Sequence, residues 1–361
     1  MPLFGSKSFV GLDVGSHSIK VVELAPFDHR FRVLHAGTAP TAPGAVKEGV
    51  VVDPHSVATG IRQAMSAAGA KSGRVISAVG GQAVIVRELK FPPMPQADLE
   101  NAARFEAERY IPYGVREVNM DLDTIGETME EGQKKVVVLL VAAKRETVEK
   151  HVQAVEAAGL EPYVLDVDAF AILRAHTPPA QAAGDAQVFV DLGAETTDIV
   201  IAGGGSFRGT RNVNIGGHNL TRAVGTKLDM EFQSAERLKE QKGMVLLEGE
   251  PMPDDKTVLA LHDVMLPILG DLATEIRRTL DYFQTRYREA KVSRIAISGG
   301  TARLPNLSRF FSLELGVETV VGDPFAQCEV PAAILSPDAR RDIAPSMATA
   351  VGLAMRGAAE R

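Results

Sequence analysis

Gly11-Leu12-Asp13-Val14-Gly15-Ser16-His17-Ser18-Ile19-Lys20-Val21-Val22 is an apolar, β-branched run broken once by an acid, a glycine and small polar residues. Such a pattern predicts a hairpin whose tip carries the polar residues. Far downstream it is echoed by Val190-Asp191-Leu192-Gly193-Ala194-Glu195-Thr196-Thr197-Asp198-Ile199-Val200. Both read apolar, Asp, apolar, Gly, two variable residues, Ser or Thr, then a return to β-branched residues. Two similar hairpins so far apart predict a duplicated domain, with the tips facing one another across a cleft between its halves.

The residue types at the tips suit an anion. Glycine lets the chain turn closely and expose consecutive backbone N–H groups, and small hydroxyl residues leave room for a phosphate. Asp13 and Asp191, at the start of the two turns, would repel a bare phosphate. They suit Mg2+, which keeps several waters and takes few protein oxygens. Two acids and two loops therefore point to a metal nucleotide, with Lys20 as a point charge beside the phosphates. Either hairpin alone would read as an ordinary turn, since Asp and Gly are common turn residues. A third element joins the pair: Arg294-Ile295-Ala296-Ile297-Ser298-Gly299-Gly300-Thr301-Ala302-Arg303 reads as a strand running into Gly-Gly before a helix. Glycines there would let a flat purine lie against the backbone, with Arg303 stacked on it or lining it.

This trio resembles the two phosphate motifs and the adenosine motif of the actin-like ATPase superfamily, to which actin, sugar kinases and the cell-division protein FtsA belong. The resemblance implies an α/β fold of duplicated, actin-like (ribonuclease H-like) domains, with subdomains 1A, 1C, 2A and 2B around a nucleotide cleft. It implies that Gly15, Ser16, His17 and Ser18 wrap the phosphates of ATP from one side, with Gly193, Ala194, Glu195 and Thr196 opposite. Asp13, Asp191 and Asp198 would hold the water shell of Mg2+. Glu236 and Lys239 resemble the family's helical pair at the ribose and purine, Gly299, Gly300 and Arg303 complete the adenosine site, and Gly216-Gly217 sit in the link after the second hairpin. His17 and Glu195 replace the small residues often found at their positions. Asp168 lies where relatives carry an acid or amide that orients the attacking water, and it could equally cap a helix starting at Ala169.

Within that superfamily, Leu89-Lys90-Phe91-Pro92-Pro93-Met94-Pro95, Glu106-Ala107-Glu108-Arg109-Tyr110-Ile111-Pro112-Tyr113, Asp166-Val167-Asp168-Ala169-Phe170-Ala171-Ile172-Leu173-Arg174 and the closing Pro345 to Arg356 resemble the PilM family of type IV pilus assembly proteins. Membership implies a cytoplasmic ATP-binding adaptor whose 1A–1C groove grips the N-terminal cytoplasmic tail of the membrane protein PilN, with contacts to the pilus extension and retraction ATPases. Hydrolysis would be weak or partner-dependent. FtsA adds a C-terminal membrane-binding helix that the residues up to Arg361 do not resemble, so the inner membrane would be reached only through partners. A small-molecule kinase and an FtsA-like filament former are the alternatives; the stretch between the hairpins shows no sugar-binding constellation.

Working outward, 361 residues at roughly 150 per domain mean two to three domains. Hydrophobic residues at 45% and charged residues at 24% exclude a disordered chain. A net charge of −7 without a long basic run argues against nucleic acid as a partner. The lone Cys328 can form no internal disulfide and offers no zinc spacing, which fits a reducing compartment. The first seven residues lack the apolar core of a signal peptide, and no stretch reaches 18 uncharged apolar residues, so neither export nor a membrane span is expected.

Asp53-Pro54, the apolar residues Val57, Ile61 and Met65, and Gly69 predict a capped helix. Strands are expected over Val75 to Val79 and Ala83 to Leu89, a helix over Gln96 to Ile111, strands near Val118 to Ile125 and Val136 to Ala142, a helix over Arg145 to Ala158 and a strand over Tyr163 to Val167. A single helical stretch is expected from Asn219 to Lys242, and Ile268, Leu272, Ile276, Leu280, Phe283 and Tyr287 form an apolar stripe read as core. The Pro-bearing stretch Thr177 to Asp185 marks a domain boundary. The expected division is 1–82 for the first part of 1A, 83–165 for the 1C insert, 166–184 for the return to 1A and linker, 185–217 for the first part of 2A, 218–291 for 2B, 292–344 for the second part of 2A, and 345–361 for a helix returning to 1A. Phe91, Met94, Phe105, Tyr110 and Tyr113 are candidates for the partner groove, most of them expected in the core.

Overall fold

The computed structural model describes residues 8–112, 114–177, 185–204, 206–287 and 291–359. The first half opens with β1 (Phe9–Val14), β2 (Ser18–Phe27) and β3 (Arg30–Pro40), an antiparallel meander. A two-stranded ribbon follows, β4 (Val46–Lys47) and β5 (Val50–Val51), then α1 (Pro54–Ala68) and β6 (Arg74–Val79). The α1 ends are fixed by local chemistry. Asp53 accepts from the N–H groups of His55 and Ser56, Pro54 opens the first turn, and Gly69 closes the helix at φ 71°.

The chain then leaves the sheet as β7 (Val84–Phe91), α2 (Gln96–Ala107), β8 (Val118–Glu130) and β9 (Gln133–Lys144). These strands pair only with one another, in the order β7-β9-β8, and α2 covers one face through Leu99, Ala103 and Ala107. After them come α3 (Arg145–Ala157), β10 (Glu161–Val167) and α4 (Asp168–His176). β10 pairs in parallel with β6. By strand pairing, the insert therefore ends at Lys144, and not at the expected 165, because the last strand of that span completes the first sheet. α2 stops at Ala107 rather than Ile111, where Glu108 to Tyr110 form a turn ahead of Pro112.

The second half repeats the plan: β11 (Ala186–Leu192), β12 (Thr197–Gly203) and β13 (Ser206–Val213) form an antiparallel meander. Next come α5 (Gly217–Leu228), α6 (Phe232–Lys242) and the 31-residue α7 (Lys256–Arg286), then β14 (Val292–Ser298), α8 (Leu307–Leu315) and β15 (Thr319–Val321). The sheet orders are β13-β12-β11-β14-β15 here and β10-β6-β1-β2-β3 in the first half. In each, three antiparallel strands are followed by two parallel ones, so the duplication read from the hairpins extends through both sheets. The single helix expected over Asn219 to Lys242 is two helices, because Asp229 turns left-handed at φ 52°. By length and composition α7 could cross a membrane, yet Leu261, Met265, Leu269, Leu272, Ile276, Leu280 and Phe283 are buried in the core of the second half.

The chain returns through β16 (Cys328–Glu329), which pairs in parallel with β3, and α9 (Pro337–Ile343) to α10 (Ala348–Ala359). Phe325 and Leu335 join the first-half core, so the return begins before 328 and not at the expected 345. α10 packs on β1, β2, β6 and α4. The expected linker falls largely on residues 178–184, outside the described residues.

Candidate functional site

The two hairpin tips are built alike. In the first, the Gly15 N–H donates to the Ser18 carbonyl at 3.2 Å; in the second, the Gly193 N–H donates to the Thr196 carbonyl at 3.0 Å. The tips do meet: Ser16 Oγ donates to Glu195 Oε2 at 3.0 Å, and the Glu48 N–H donates to the same oxygen at 2.5 Å. Behind them lies a cleft of about 870 Å³. Its walls include Asp13, Gly15, Ser16, His17, Ser18, Lys20, Asp168, Asp191, Gly193, Ala194, Glu195, Thr196, Asp198, Gly217, Glu236, Lys239, Gly299, Gly300 and Arg303.

Gly216 alone among the anticipated residues does not line the cleft; it caps α5 beneath the second tip, where a Cβ would fall 2.6 Å from the Ala194 carbonyl oxygen. Gly299 is required by geometry. Its φ is 87°, and a Cβ would stand 2.3 Å from the Leu192 carbonyl oxygen, so glycine lets the β14 turn lie against the end of β11. Asp168 opens α4, but the residue in the cap position is Val167 and no side chain caps the helix. The capping alternative is thereby removed, and the Asp168 carboxyl lies against Gly80 at the cleft wall.

The carboxylates are unequally placed. Asp13 Oδ2 sits 3.0 Å from Lys20 Nζ. Burial opposes the Lys20 ammonium, but Asp13, with Asp191 and Asp168 beyond it, holds its pKa above the ordinary lysine value. Asp191 accepts from Ser298 Oγ at 2.7 Å, yet burial pushes it up to about 7. Burial likewise takes Asp198 to about 6 despite a hydrogen bond from Asn212 Nδ2, and Asp168 well above the usual carboxylate range with its acidic neighbours adding to the effect. Asp13, Asp191 and Asp168 thus share the Lys20 ammonium, with Asp198 opposite Asp191. That all-oxygen, anionic donor set fits a hard divalent cation such as Mg2+.

On the other wall, Lys239 Nζ donates to the Gly217 carbonyl, Thr221 Oγ1 and Glu236 Oε2, at 3.1, 2.8 and 2.8 Å. Glu236, which also accepts from Thr221, is held below the usual range against the opposing effect of burial, chiefly by Lys239. Ser298 and Thr221 lay inside the motifs without being singled out. Arg341, Asp342, Ser346 and Thr349 also line the cleft, from the segment that leads into α10, and carry no local signal of that position.

A second cavity, of about 840 Å³, opens between the insert and the rest of the first half, with Gly204, Ser206 and Phe207 of the second half on its rim. Leu122, Leu139, Val141, Val167 and Phe170 face it, with Asp121, Asp123, Arg174 and Arg356 among its polar groups. None of Phe91, Met94, Phe105 and Tyr110 lines it: Phe91 and Met94 pack in the insert core, and Phe105 is 74% exposed. Tyr113 lies outside the described residues.

Paired acid-tipped hairpins on two sheets of matching order, facing each other over a cleft, define the actin-like ATPase fold. MreB5 of Spiroplasma citri bound to ADP superposes with a TM-score of 0.54 at 12% identity, over 97% of this chain and 95% of that one, and agrees in fold. Residues 11–358 match the model of the family described as type IV pilus assembly protein PilM. The chain belongs to the PilM family. A chain of a PilM-PilN type IV pilus biogenesis complex superposes with a TM-score of 0.84 and 28% identity over 98% of this chain and 99% of that one. Cell division protein FtsA of Pseudomonas aeruginosa is 25% identical over 338 residues, covering 82% of this chain and 78% of FtsA.

Proposed function

We propose that the chain is a nucleotide-binding adaptor of the type IV pilus inner-membrane platform, which takes Mg-ATP in the cleft and the N-terminal cytoplasmic tail of PilN in the groove beside the insert. One observation carries the reading. The β10–α4 junction is a wall common to both cavities: Asp168 faces the cleft, while Val167 and Phe170 face the groove. A ligand that draws on Asp168 therefore acts on the same turn that shapes the groove, and each site can favour one conformation of the other. Such a protein works in the cytoplasm, meets the membrane through PilN, and passes nucleotide state on to the extension and retraction ATPases.

In this reading Asp13, Asp191 and Asp198 hold the hydrated Mg2+, the tips at Gly15–Ser18 and Gly193–Thr196 cradle the phosphates beside Lys20, and Glu236, Lys239, Gly299, Gly300 and Arg303 receive the adenosine. Bound ATP supplies a γ-phosphate open to attack by water. The chain's own part is to orient that water at the Asp168 carboxyl, whose pKa burial and the neighbouring acids raise above the usual carboxylate range. Asp168→Asn is then expected to slow turnover at unchanged ATP affinity; unchanged turnover removes the role. For the adaptor itself, the test is the affinity of a PilN tail peptide for the full chain with and without Mg-ATP. A change of several-fold is expected, and equal values would rule out the coupling.

A further inference from the structure

One group of residues in the cleft is chemically different from its hard, oxygen-lined acidic centre. His17, at the first hairpin tip, faces Glu236 and Glu240 on α6, and one donor atom from each lies within 4.8 Å of the other two. The two glutamates are four residues apart on one helix, so they project from the same face one turn apart. His17 comes from the opposite wall. Glu236 Oε2 is engaged by Lys239 and Thr221, while among the described residues its Oε1 has no hydrogen-bond partner. Among the described residues the Glu240 carboxylate has neither a hydrogen bond nor an ion pair, and the His17 ring makes no hydrogen bond; it has an edge contact with His218, at 6.0 Å between centroids, and an electrostatic attraction to Glu236.

We infer that His17, Glu236 and Glu240 form a site for a transition-metal dication of the Zn2+ or Co2+ type, joining the first hairpin to α6 when no nucleotide is bound. An imidazole nitrogen with two carboxylate oxygens is a donor set that such ions accept and Mg2+ does not favour. Bonds of about 2.0 to 2.2 Å in tetrahedral geometry put ligand atoms about 3.4 Å apart. Side-chain rotation of partly or fully exposed groups closes a gap of that size without moving the backbone. Water fills the fourth position. Because the ligands stand on the two walls, the ion holds the cleft shut without touching Asp13 or Asp191. The site is distinct from the one proposed for Mg2+, and it does not depend on the nucleotide reading.

The test uses the full chain, freed of metal by chelation and without nucleotide, titrated with Co2+ and followed by its visible absorption, with Zn2+ calorimetry for stoichiometry. One ion per chain is expected, with affinity at least tenfold weaker in His17→Ala and in the isosteric Glu240→Gln. His55→Ala, which removes an exposed imidazole on α1, should change nothing. Zn2+ should raise the melting temperature of the unsubstituted chain and leave that of His17→Ala unmoved. Equal metal affinity in the unsubstituted chain and either site variant would overturn the inference, as would displacement of Co2+ by an equal concentration of Mg2+. Mg-ATP titration of the same preparation reads the nucleotide proposal separately, so either can fail while the other stands.

Discussion

The two hairpins share a backbone but not an electrostatic design. Across the first, Asp13 stands opposite Lys20; across the second, Asp191 stands opposite Asp198. One strand pair carries its own counter-ion, and the other sets two buried acids side by side and pushes both towards the neutral form, to about 7 and about 6. Duplication therefore preserved the turn and left the charge free to diverge. The first hairpin pairs its acid internally with Lys20, and the second leaves its two acids without a basic partner across the strand pair.

Exchanging the acids tests this asymmetry directly. Asp191→Asn is expected to weaken Mg-nucleotide binding by about a hundredfold, since it removes a charged donor from the cation's surroundings; calorimetry at fixed Mg2+ measures it. Retained affinity would move the cation elsewhere. The next largest effect is on folding. Asp13→Asn leaves the Lys20 ammonium, 15% exposed, without its nearest partner, and should cost about 2 to 3 kcal/mol in denaturant unfolding of the nucleotide-free chain. Asp191→Asn at the same pH should cost less than that or raise stability, so equal losses would contradict the contrast between the hairpins. A third effect is on pH dependence. The unfolded chain gives up the Asp191 proton near the ordinary carboxylate value, and the folded chain keeps it to about 7. Stability without ligand should then fall as pH rises from about 4 to about 7, by about 1.4 kcal/mol for each unit by which folding raises the Asp191 pKa, and Asp191→Asn should flatten the slope.

What could be read from the residues in order was whatever local chemistry decides. Asp53, Pro54 and Gly69 define α1 within one segment, and each hairpin closes over a few residues, so the duplicated fold and the hairpin walls of the cleft were legible. Pairing between distant segments was not. β10 joins a partner strand on the far side of the insert, and β16 joins β3 from the other end of the chain; neither strand's own residues show which sheet it enters. The break between α5 and α6 rests on one left-handed Asp229, a residue type that tolerates that conformation without announcing it as a glycine would. For Asp168, two roles stayed open until the helix start was fixed one position earlier than expected, at Asp168 itself, with Val167 in the cap position. The wall from Arg341 to Thr349 could not be seen because nothing in those residues suggests an anion or a base.

The last helix carries a consequence for how the molecule is made. α10 lies so close to the first sheet that a Cβ on Gly11 would sit 2.0 Å from the Ala350 carbonyl oxygen, and one on Gly352 would sit 1.9 Å from that of Ala171. The opening strands therefore wait, during synthesis, for residues translated some 340 positions later, while the second sheet has all its strands once Val321 has emerged. Vectorial translation thus leaves one face of the N-terminal β-sheet uncovered until α10 has been made.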